Sequence, residues 1–338
     1  MHSNNVKAGD GAIERAQPGG PAHGPQQRRW QQSLALLGKG QSVIGLVIVC
    51  VVFSFLSDAF LTSYNLFNVL RQSAVTAILA AGMVFVIVTG GIDLSVGAVV
   101  AVVGVMTAGL LQGGLAIPLA VLAGLLVGCL FGLANGFAIA VIRLPPFIVT
   151  LATMTVGASI ALAYSGGLPI SGLPAAFTWI GQGMIGPVPV PVILAIVVAT
   201  VAGILLQRTL IGRFAIAIGS NEQVTFLSGV NTVKWKMVVY ALNGLLAGLG
   251  GIVLAARQNS GQPTAATGIE LTVIAAVVIG GTRLSGGRGS MWGAMVGTLL
   301  MTIINNGLNL LNVSPYYQGL FVGGLILIAV SLDRRNAG

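Results

Sequence analysis

Apolar residues run through this chain in long stretches that are separated by short polar segments. An α-helix needs about 20 apolar residues to cross the hydrocarbon core of a bilayer, and a segment in lipid must satisfy its own backbone. The pattern therefore predicts an all-α polytopic integral membrane protein with about 10 transmembrane helices. The predicted spans are residues 41–60, 72–90, 94–112, 115–141, 146–166, 189–206, 236–256, 269–282, 289–307 and 316–332.

Composition excludes a soluble domain. Charged residues make up 7% of the 338 residues, against about 25% in soluble proteins. The 49 glycines are typical of membrane helices, where small residues let backbones approach closely. Cys50 and Cys129 both fall inside apolar stretches and are interpreted as packing residues. No disulfide and no metal site is predicted.

Residues 1–38 have a different composition from the rest of the chain, being rich in Pro, Gly, Gln and charge. We predict a disordered cytoplasmic tail here and a membrane domain at 39–338. The first apolar stretch begins near Gln41 and is too long for the core of a cleavable signal peptide.

Lysine and arginine orient the spans, because cytoplasmic loops carry the excess of these residues. With ten spans and a cytoplasmic N-terminus, 14 of the 16 basic residues fall on the cytoplasmic side and only Arg71 and Arg257 on the other. Both termini are therefore predicted to be cytoplasmic. This distribution accounts for the net charge of +9 without a nucleic-acid partner.

The chain contains an internal repeat. VTGGIDLSVG at 88–97 matches VIGGTRLSGG at 278–287 in six of ten positions. Both copies would lie at the cytoplasmic ends of spans, which predicts a parallel repeat; chance similarity between glycine-rich segments is the alternative. The breaks at 90–94 and 282–289 are compatible with loops or with re-entrant segments.

Thr89 and Asp93 in the first copy are candidates for a translocation path or gate. For Asp93 the reason is that an ionisable residue at the end of a span is a functional candidate. Asp93 also suits a structural role, as the cap of a helix that starts at Leu94. The two roles are compatible.

LSGGR at 284–288 matches the signature loop of an ABC ATPase, but a nucleotide-binding subunit also needs a phosphate loop GxxxxGK[ST]. The only Gly-Lys pair, Gly38–Lys39, lacks the preceding glycine and the following hydroxyl residue. We predict a tight turn between helices here, and a chain that is not an enzyme and binds no cofactor itself.

Four stretches resemble one family closely, the permease subunits of ribose-type ABC sugar importers, which also serve xylose, arabinose and galactose. The matching stretches are 65–97, 212–236, 262–290 and 305–319, all in register. The resemblance implies a multi-pass protein of the bacterial inner membrane that forms the path for a monosaccharide or related polyol. It implies a second permease chain, either a homodimer or a different permease. It also implies a cytoplasmic ATPase with two fused nucleotide-binding halves that carries ATP and Mg, and a periplasmic sugar-binding protein.

The resemblance assigns the ATPase-coupling role to the polar segment GSNEQVTFLSGV. Its candidate residues are Gly219, Ser220, Asn221, Glu222, Phe226, Leu227, Ser228 and Gly229. Ser220 and Asn221 can cap a short helix, Glu222 suits its first turn and Gly229 can end it. Val224, Phe226 and Leu227 offer an apolar knob, while a plain surface loop is the alternative. Gln223 and Val224 depart from the small alanines of the family.

Asn305, Asn306, Asn309 and Asn312 are the densest amide cluster in an apolar region. Asn305, Asn309 and Asn312 have i, i+4, i+7 spacing, which predicts one helix face. A sugar path needs such hydrogen-bonding groups, but amides also join membrane helices to one another. Both interpretations stand, and the sequence does not identify the sugar.

An ion-driven secondary transporter of small polar solutes is the alternative function. It requires an intramembrane acid or a sodium site, for which Asp93 is the one candidate in the sequence analysis. A membrane scaffold is a third class that no feature of the chain favours.

Overall fold

The computed structural model describes residues 42–314, 317–321, 323–324 and 327. The predictions for the tail, the last span and both termini lie wholly or largely outside these residues. The helices are α1 (Ser42–Leu56), α2 (Ser63–Val88), α3 (Val96–Gln112), α4 (Ile117–Ala140), α5 (Pro146–Ser165), α6 (Ala175–Gln182), α7 (Val190–Arg208), α8 (Leu210–Ser220), α9 (Glu222–Leu227), α10 (Thr232–Gln258), α11 (Ile269–Ile279) and α12 (Met291–Leu310). The strands are β1 (Ile170–Ser171), β2 (Met184–Ile185), β3 (Val188–Pro189) and β4 (Ser260–Gly261).

Six helices in the described part of the chain are long and apolar enough to cross a membrane, namely α2, α4, α5, α7, α10 and α12. Four more, α1, α3, α8 and α11, are shorter and apolar. The predicted start of the second span at 72 is wrong, because the side chain of Thr62 accepts a hydrogen bond from the Asn65 N–H and begins α2 at Ser63. Arg71 therefore lies within the helix.

The helices divide into a core and a periphery. α2, α3 and α10 are buried over most of their length, whereas α4, α5 and α7 expose apolar side chains along most of theirs. A helix that is apolar all round belongs inside a protein or against lipid. α4 packs on α10 through a close-set row of glycines, with Gly128 and Gly132 against Gly244 and Gly248. Such small-residue contacts hold helices together where lipid removes the hydrophobic driving force.

The predicted span at 269–282 is mostly helical, but its helix is short. α11 has 11 residues, a length of about 16 Å at 1.5 Å per residue, or about half the hydrocarbon core. The preceding residues 259–268 contain no helix. They run along α3: Gly261 lies against Gly104 and Val105 in the middle of that helix, and Ala266 lies beside Gly97 near its start. β4 in this stretch pairs with β1. An irregular stretch thus precedes α11, a feature that the sequence analysis missed.

Basic residues mark one face of the described structure. Arg143 and Lys236 line one cleft, and Arg208 lies near Met291 at the start of α12. The two glycine-rich breaks meet α8 on the same face. We call this the basic face. Its members are Arg143, Arg208, Arg213, Lys234, Lys236, Arg283 and Arg288. Arg71 and Arg257 lie toward the opposite face, as predicted. They are close to each other, since the Arg257 guanidinium donates to the Arg71 carbonyl at 3.5 Å.

Candidate functional site

The polar segment at 219–229 is mostly helical. Asn221 caps α9 as predicted, since its Oδ1 accepts a hydrogen bond from the Val224 N–H at 2.9 Å. Gly229 follows the helix end with φ of 85°, the left-handed conformation for which glycine is favoured. The predicted capping role of Ser220 is wrong. Ser220 ends α8, and its hydroxyl donates back to the Ile216 carbonyl.

α9 presents apolar side chains to its surroundings. Val224, Phe226 and Leu227 are 57%, 63% and 75% exposed. Phe226 lies between two surface clefts of about 910 and 620 Å³. The arrangement matches the apolar knob that the sequence predicted and can dock on a partner groove.

Glu222, in the first turn of α9, is engaged within the chain. Its Oε2 accepts a hydrogen bond from Lys236 Nζ at 2.6 Å, and the two form an ion pair. This pair ties α9 to α10. An exposed ion pair contributes about 0–1 kcal/mol, so it orients α9 more than it stabilises the fold.

The end of α8 meets both copies of the internal repeat. A Cβ at Gly219 would overlap the Val88 carbonyl oxygen and lie 2.6 Å from Gly287 N. Gly287 N–H donates to the Val88 carbonyl at 2.9 Å. We call this three-way contact the glycine junction, formed by Val88–Gly91, Gly219–Ser220 and Gly286–Gly287. It places the segment that leads into α9 directly on the breaks at the ends of two apolar spans.

Asp93 is 2% exposed and is the centre of a polar network. Its Oδ1 accepts from the Ser95 N–H at 2.9 Å and from the Ser95 hydroxyl at 2.6 Å. Its Oδ2 accepts from Asn243 Nδ2 at 2.9 Å. Asn135 Nδ2 donates to Ser95 Oγ, and the Thr153 hydroxyl donates to Asn135 Oδ1. We call these five residues the Asp93 network; it joins the first break to α4, α5 and α10.

The capping prediction for Asp93 needs correction. α3 begins at Val96, with Ser95 at the N-cap position, and not at Leu94. The carboxylate holds the turn before the helix instead. Thr89 ends α2; it is buried and its hydroxyl donates to the Val86 carbonyl. Both side chains are buried in this conformation.

The asparagine cluster separates into different roles. Asn306 is buried and pairs reciprocally with Asn65, with N–O distances of 2.8 and 3.0 Å. This pair joins α12 to α2. Asn305 is half-buried, and exposed Asn309 accepts from Gln318 Nε2. Asn312 lies beyond the end of α12 with φ of 56°, so the predicted shared helix face is wrong for Asn312.

Glu270 is a candidate that the sequence analysis missed. It lies in the first turn of α11, and its carboxylate lies beside Gly97 at the start of α3. An acid at the start of a half-length helix inside the apolar region is a functional candidate. The preceding polar stretch QPTAATG was the available signal. Among the described residues, no group of three His, Cys, Asp or Glu could hold a metal ion.

Many apolar helices, with glycine-rich breaks at the ends of two of them, are the architecture of a membrane permease. The chain belongs to the family described as the branched-chain amino acid transport system / permease component, which it matches over residues 65–330. It is 44% identical over 296 residues to the ribose import permease protein RbsC of Bacillus subtilis, covering 87% of this chain and 92% of that one. It is 39% identical over 291 residues to the D-allose transport system permease protein AlsC of Escherichia coli, covering 86% and 89%.

A third relative is the xylose transport system permease protein XylH of Escherichia coli, 32% identical over 354 residues, covering 86% of this chain and 90% of that one. The resemblance drawn from the sequence to sugar permeases of ABC importers is therefore confirmed. No solved structure gives a significant match.

Proposed function

We propose that this chain is the membrane-spanning permease subunit of a binding-protein-dependent ABC importer and forms the path for a monosaccharide. The relatives named for ribose, allose and xylose support the substrate class. In this proposal two permease chains form the path, a separate ATPase with two fused halves binds ATP and Mg, and a periplasmic protein delivers the sugar.

The topology of the proposal has ten crossings in a bacterial inner membrane, with both termini in the cytoplasm. The concentration of Lys and Arg on the basic face supports this orientation. α11, together with the irregular stretch 259–268 before it, counts as one crossing. Labelling of single cysteines placed in the loops, from either side of sealed vesicles, tests the count.

The glycine junction is the observation that supports the coupling role. Gly219 contacts the first break through Val88 and the second through Gly287, with no room for a side chain. Asn221, two residues later, caps α9. A displacement of α9 by a docked ATPase would therefore reach both breaks through backbone contacts, because close-packed groups transmit displacement rather than absorb it.

The exposed side chains of α9 supply the docking energy in this proposal. Burying a large apolar side chain contributes about 1.5–3 kcal/mol. Phe226 and Leu227 are the most exposed apolar residues of α9. Because Glu222 is already paired with Lys236, a basic residue on the ATPase is not required to explain docking.

The test is co-purification of the cognate ATPase with variants Phe226→Ala and Leu227→Ala. Each should weaken retention of the ATPase at least tenfold while the protein still inserts. Leu61→Ala is the matched control, since Leu61 is 63% exposed on the opposite face and should retain the ATPase fully. Full retention by both α9 variants would refute docking through α9.

The second candidate function is an ion-driven secondary transporter, which the buried Asp93 and the half-buried Glu270 favour. Vesicles holding only this chain distinguish the two. The importer proposal expects no ATP hydrolysis and no uptake until the ATPase and binding protein are added. Uptake driven by an ion gradient in this chain alone, lost in Glu270→Gln, would support the alternative.

A further inference from the structure

A long apolar groove runs along α7, between α2 and α12. Its volume is about 620 Å³, and it extends from Val192 to Arg208, a length of about 24 Å along the helix at 1.5 Å per residue. Ala195, Ala199 and Gly203 give it a narrow floor of small residues. We call it the α7 groove. Its dimensions suit a hydrocarbon chain that lies parallel to the helices.

The hydroxyl groups in the α7 groove are already bonded within their own helices. Ser73 donates to the Leu70 carbonyl, Thr200 to Ile196 and Thr298 to Met295. The wall therefore offers few free polar groups along its length. A sugar in the groove would have few hydrogen-bond partners, whereas an acyl chain needs none.

Polar groups concentrate at one end of the α7 groove, on the basic face. Gln207, Arg208 and Trp292 line this end, and Trp292 is 73% exposed. Tryptophan is enriched at the level of lipid headgroups. Basic pockets between helices on the cytoplasmic side bind anionic headgroups.

Arg208 has no acidic partner within the described ranges. Four acids occur there, and none is free for it. Asp93 is buried in its own network, Glu222 pairs with Lys236, and Glu270 lies beside Gly97. Asp58, between α1 and α2, is toward the opposite face. The positive charge of Arg208 is thus left for a ligand.

A second copy of this chain is a poorer occupant of the α7 groove. A two-fold axis normal to a membrane brings identical levels of the two copies together, because such an interface uses the same patch on both. Arg208 of one copy would then lie against residues of the second copy at the same depth in the membrane. At that depth the chain has cations and no free acid. Like charges in a partly buried contact are unfavourable.

We propose that the α7 groove is a binding site for an anionic phospholipid. One acyl chain lies along Ala195, Ala199 and Gly203, and the phosphate meets the guanidinium of Arg208. The indole of Trp292 lies at the headgroup level. α7 is joined to α8 by Thr209 alone, and Gly212 packs against Leu206, so the bound lipid lies next to the segment that leads to α9.

Native mass spectrometry of the purified full chain tests the site, with phosphatidylglycerol and phosphatidylcholine of identical acyl chains. Phosphatidylglycerol should bind about fivefold more tightly, the effect of one basic residue near an anionic headgroup. Arg208→Gln should remove this preference and leave phosphatidylcholine binding unchanged. Arg213→Gln, an equal loss of charge on the basic face, should keep the preference.

A second variant tests the groove itself. A Cβ at Gly203 has only Met291 within 4 Å, at 3.7 Å, so Gly203→Leu should fold and fill the groove. It should lose both lipids. Glycerol phosphate in excess should displace neither, since the acyl chain holds the ligand.

Three results would overturn the proposal. The first is equal binding of the two lipids by the unsubstituted chain, and the second is an Arg208→Gln variant that keeps the preference. The third is efficient disulfide formation between two copies of Ile204→Cys, which would place the second chain in the groove.

Discussion

The two glycine-rich breaks share six of ten residues, yet different chemistry holds each of them. In the first, the buried Asp93 carboxylate accepts three hydrogen bonds from side-chain and backbone donors, and the network reaches α4, α5 and α10. In the second, Gly281, Gly286 and Gly287 have positive φ, and the turn is closed by the Arg283 N–H donating to the Arg288 carbonyl.

The comparison indicates which of the two breaks can be displaced. A break anchored by a buried carboxylate resists displacement, because any shift leaves donors without an acceptor. Both breaks contact Gly219, but the second has no buried carboxylate: it is held by its own turn and by the Ser290 N–H bond to the Thr282 hydroxyl, so it can shift with α8 more easily. We therefore expect substitutions in the first break to affect stability and substitutions in the second to affect coupling.

The largest expected effect is at Asp93. Asp93→Ala leaves the Ser95 and Asn243 donors buried without an acceptor, at a cost of about 1–3 kcal/mol for each orphaned group. The variant should lower the unfolding temperature in detergent and reduce the amount of inserted protein.

Asp93→Asn separates structure from charge. The Oδ1 atom of Asn243 is buried without a hydrogen-bond partner, so a flip of that amide can accept a hydrogen bond from the new NH₂ group. The variant should keep most of the stability and most of the uptake. If instead it fails as completely as Asp93→Ala, the negative charge itself is required, which would favour ion coupling.

The next effect is expected at the glycine junction. Gly219→Val places a branched side chain on the Val88 carbonyl and Gly287 N, and overpacking costs about 1–3 kcal/mol. The protein should insert, while uptake falls more than tenfold relative to ATP hydrolysis. Gly45→Ala is the control, since no atom lies within 4 Å of a Cβ there. Unchanged coupling would remove the mechanical role of the junction.

Gly286→Ala tests the second break alone. Its φ of 82° costs a side chain about 1–2 kcal/mol, and the Cβ would approach Gly219 O and Gly90 N at 2.9 Å each. We expect a several-fold loss of uptake with a smaller fall in unfolding temperature than for Asp93→Ala. The reverse order of the two temperatures would contradict the contrast between the breaks.

Local features of this chain were predictable, because their causes lie within a few residues. The cap at Asn221 and the turn at Gly229 depend on bonds three residues apart, and the basic face follows from loop composition. Ser220 and Asn221 are adjacent, and either residue type can cap α9. Asn221 is the cap because Ser220 is the last residue of α8. Asn312 left the predicted face because α12 ends at Leu310.

Long-range features were not predictable from one sequence. The partner of Asn306 is Asn65, 241 positions away, and nothing local marks it. The non-helical stretch 259–268 packs on α3 and α10. Irregular backbone needs such cover inside a membrane, and the cover is a property of the packed structure. Glu270 acquires its half-buried position from the same packing.

The smallest effect is expected at Gly229, and the Gly229→Ala variant is the reference for Gly286→Ala. Its φ of 85° nearly equals that of Gly286, but a Cβ at Gly229 has no atom within 4 Å. Gly229→Ala therefore carries the backbone strain, about 1–2 kcal/mol, without a steric clash. The strain falls on the end of α9, so retention of the ATPase should weaken several-fold while the unfolding temperature barely changes. The excess loss of uptake in Gly286→Ala over Gly229→Ala then measures what contact with Gly219 and Gly90 adds. Equal losses in the two variants would mean that strain alone accounts for both, and that the second break does not act through the junction.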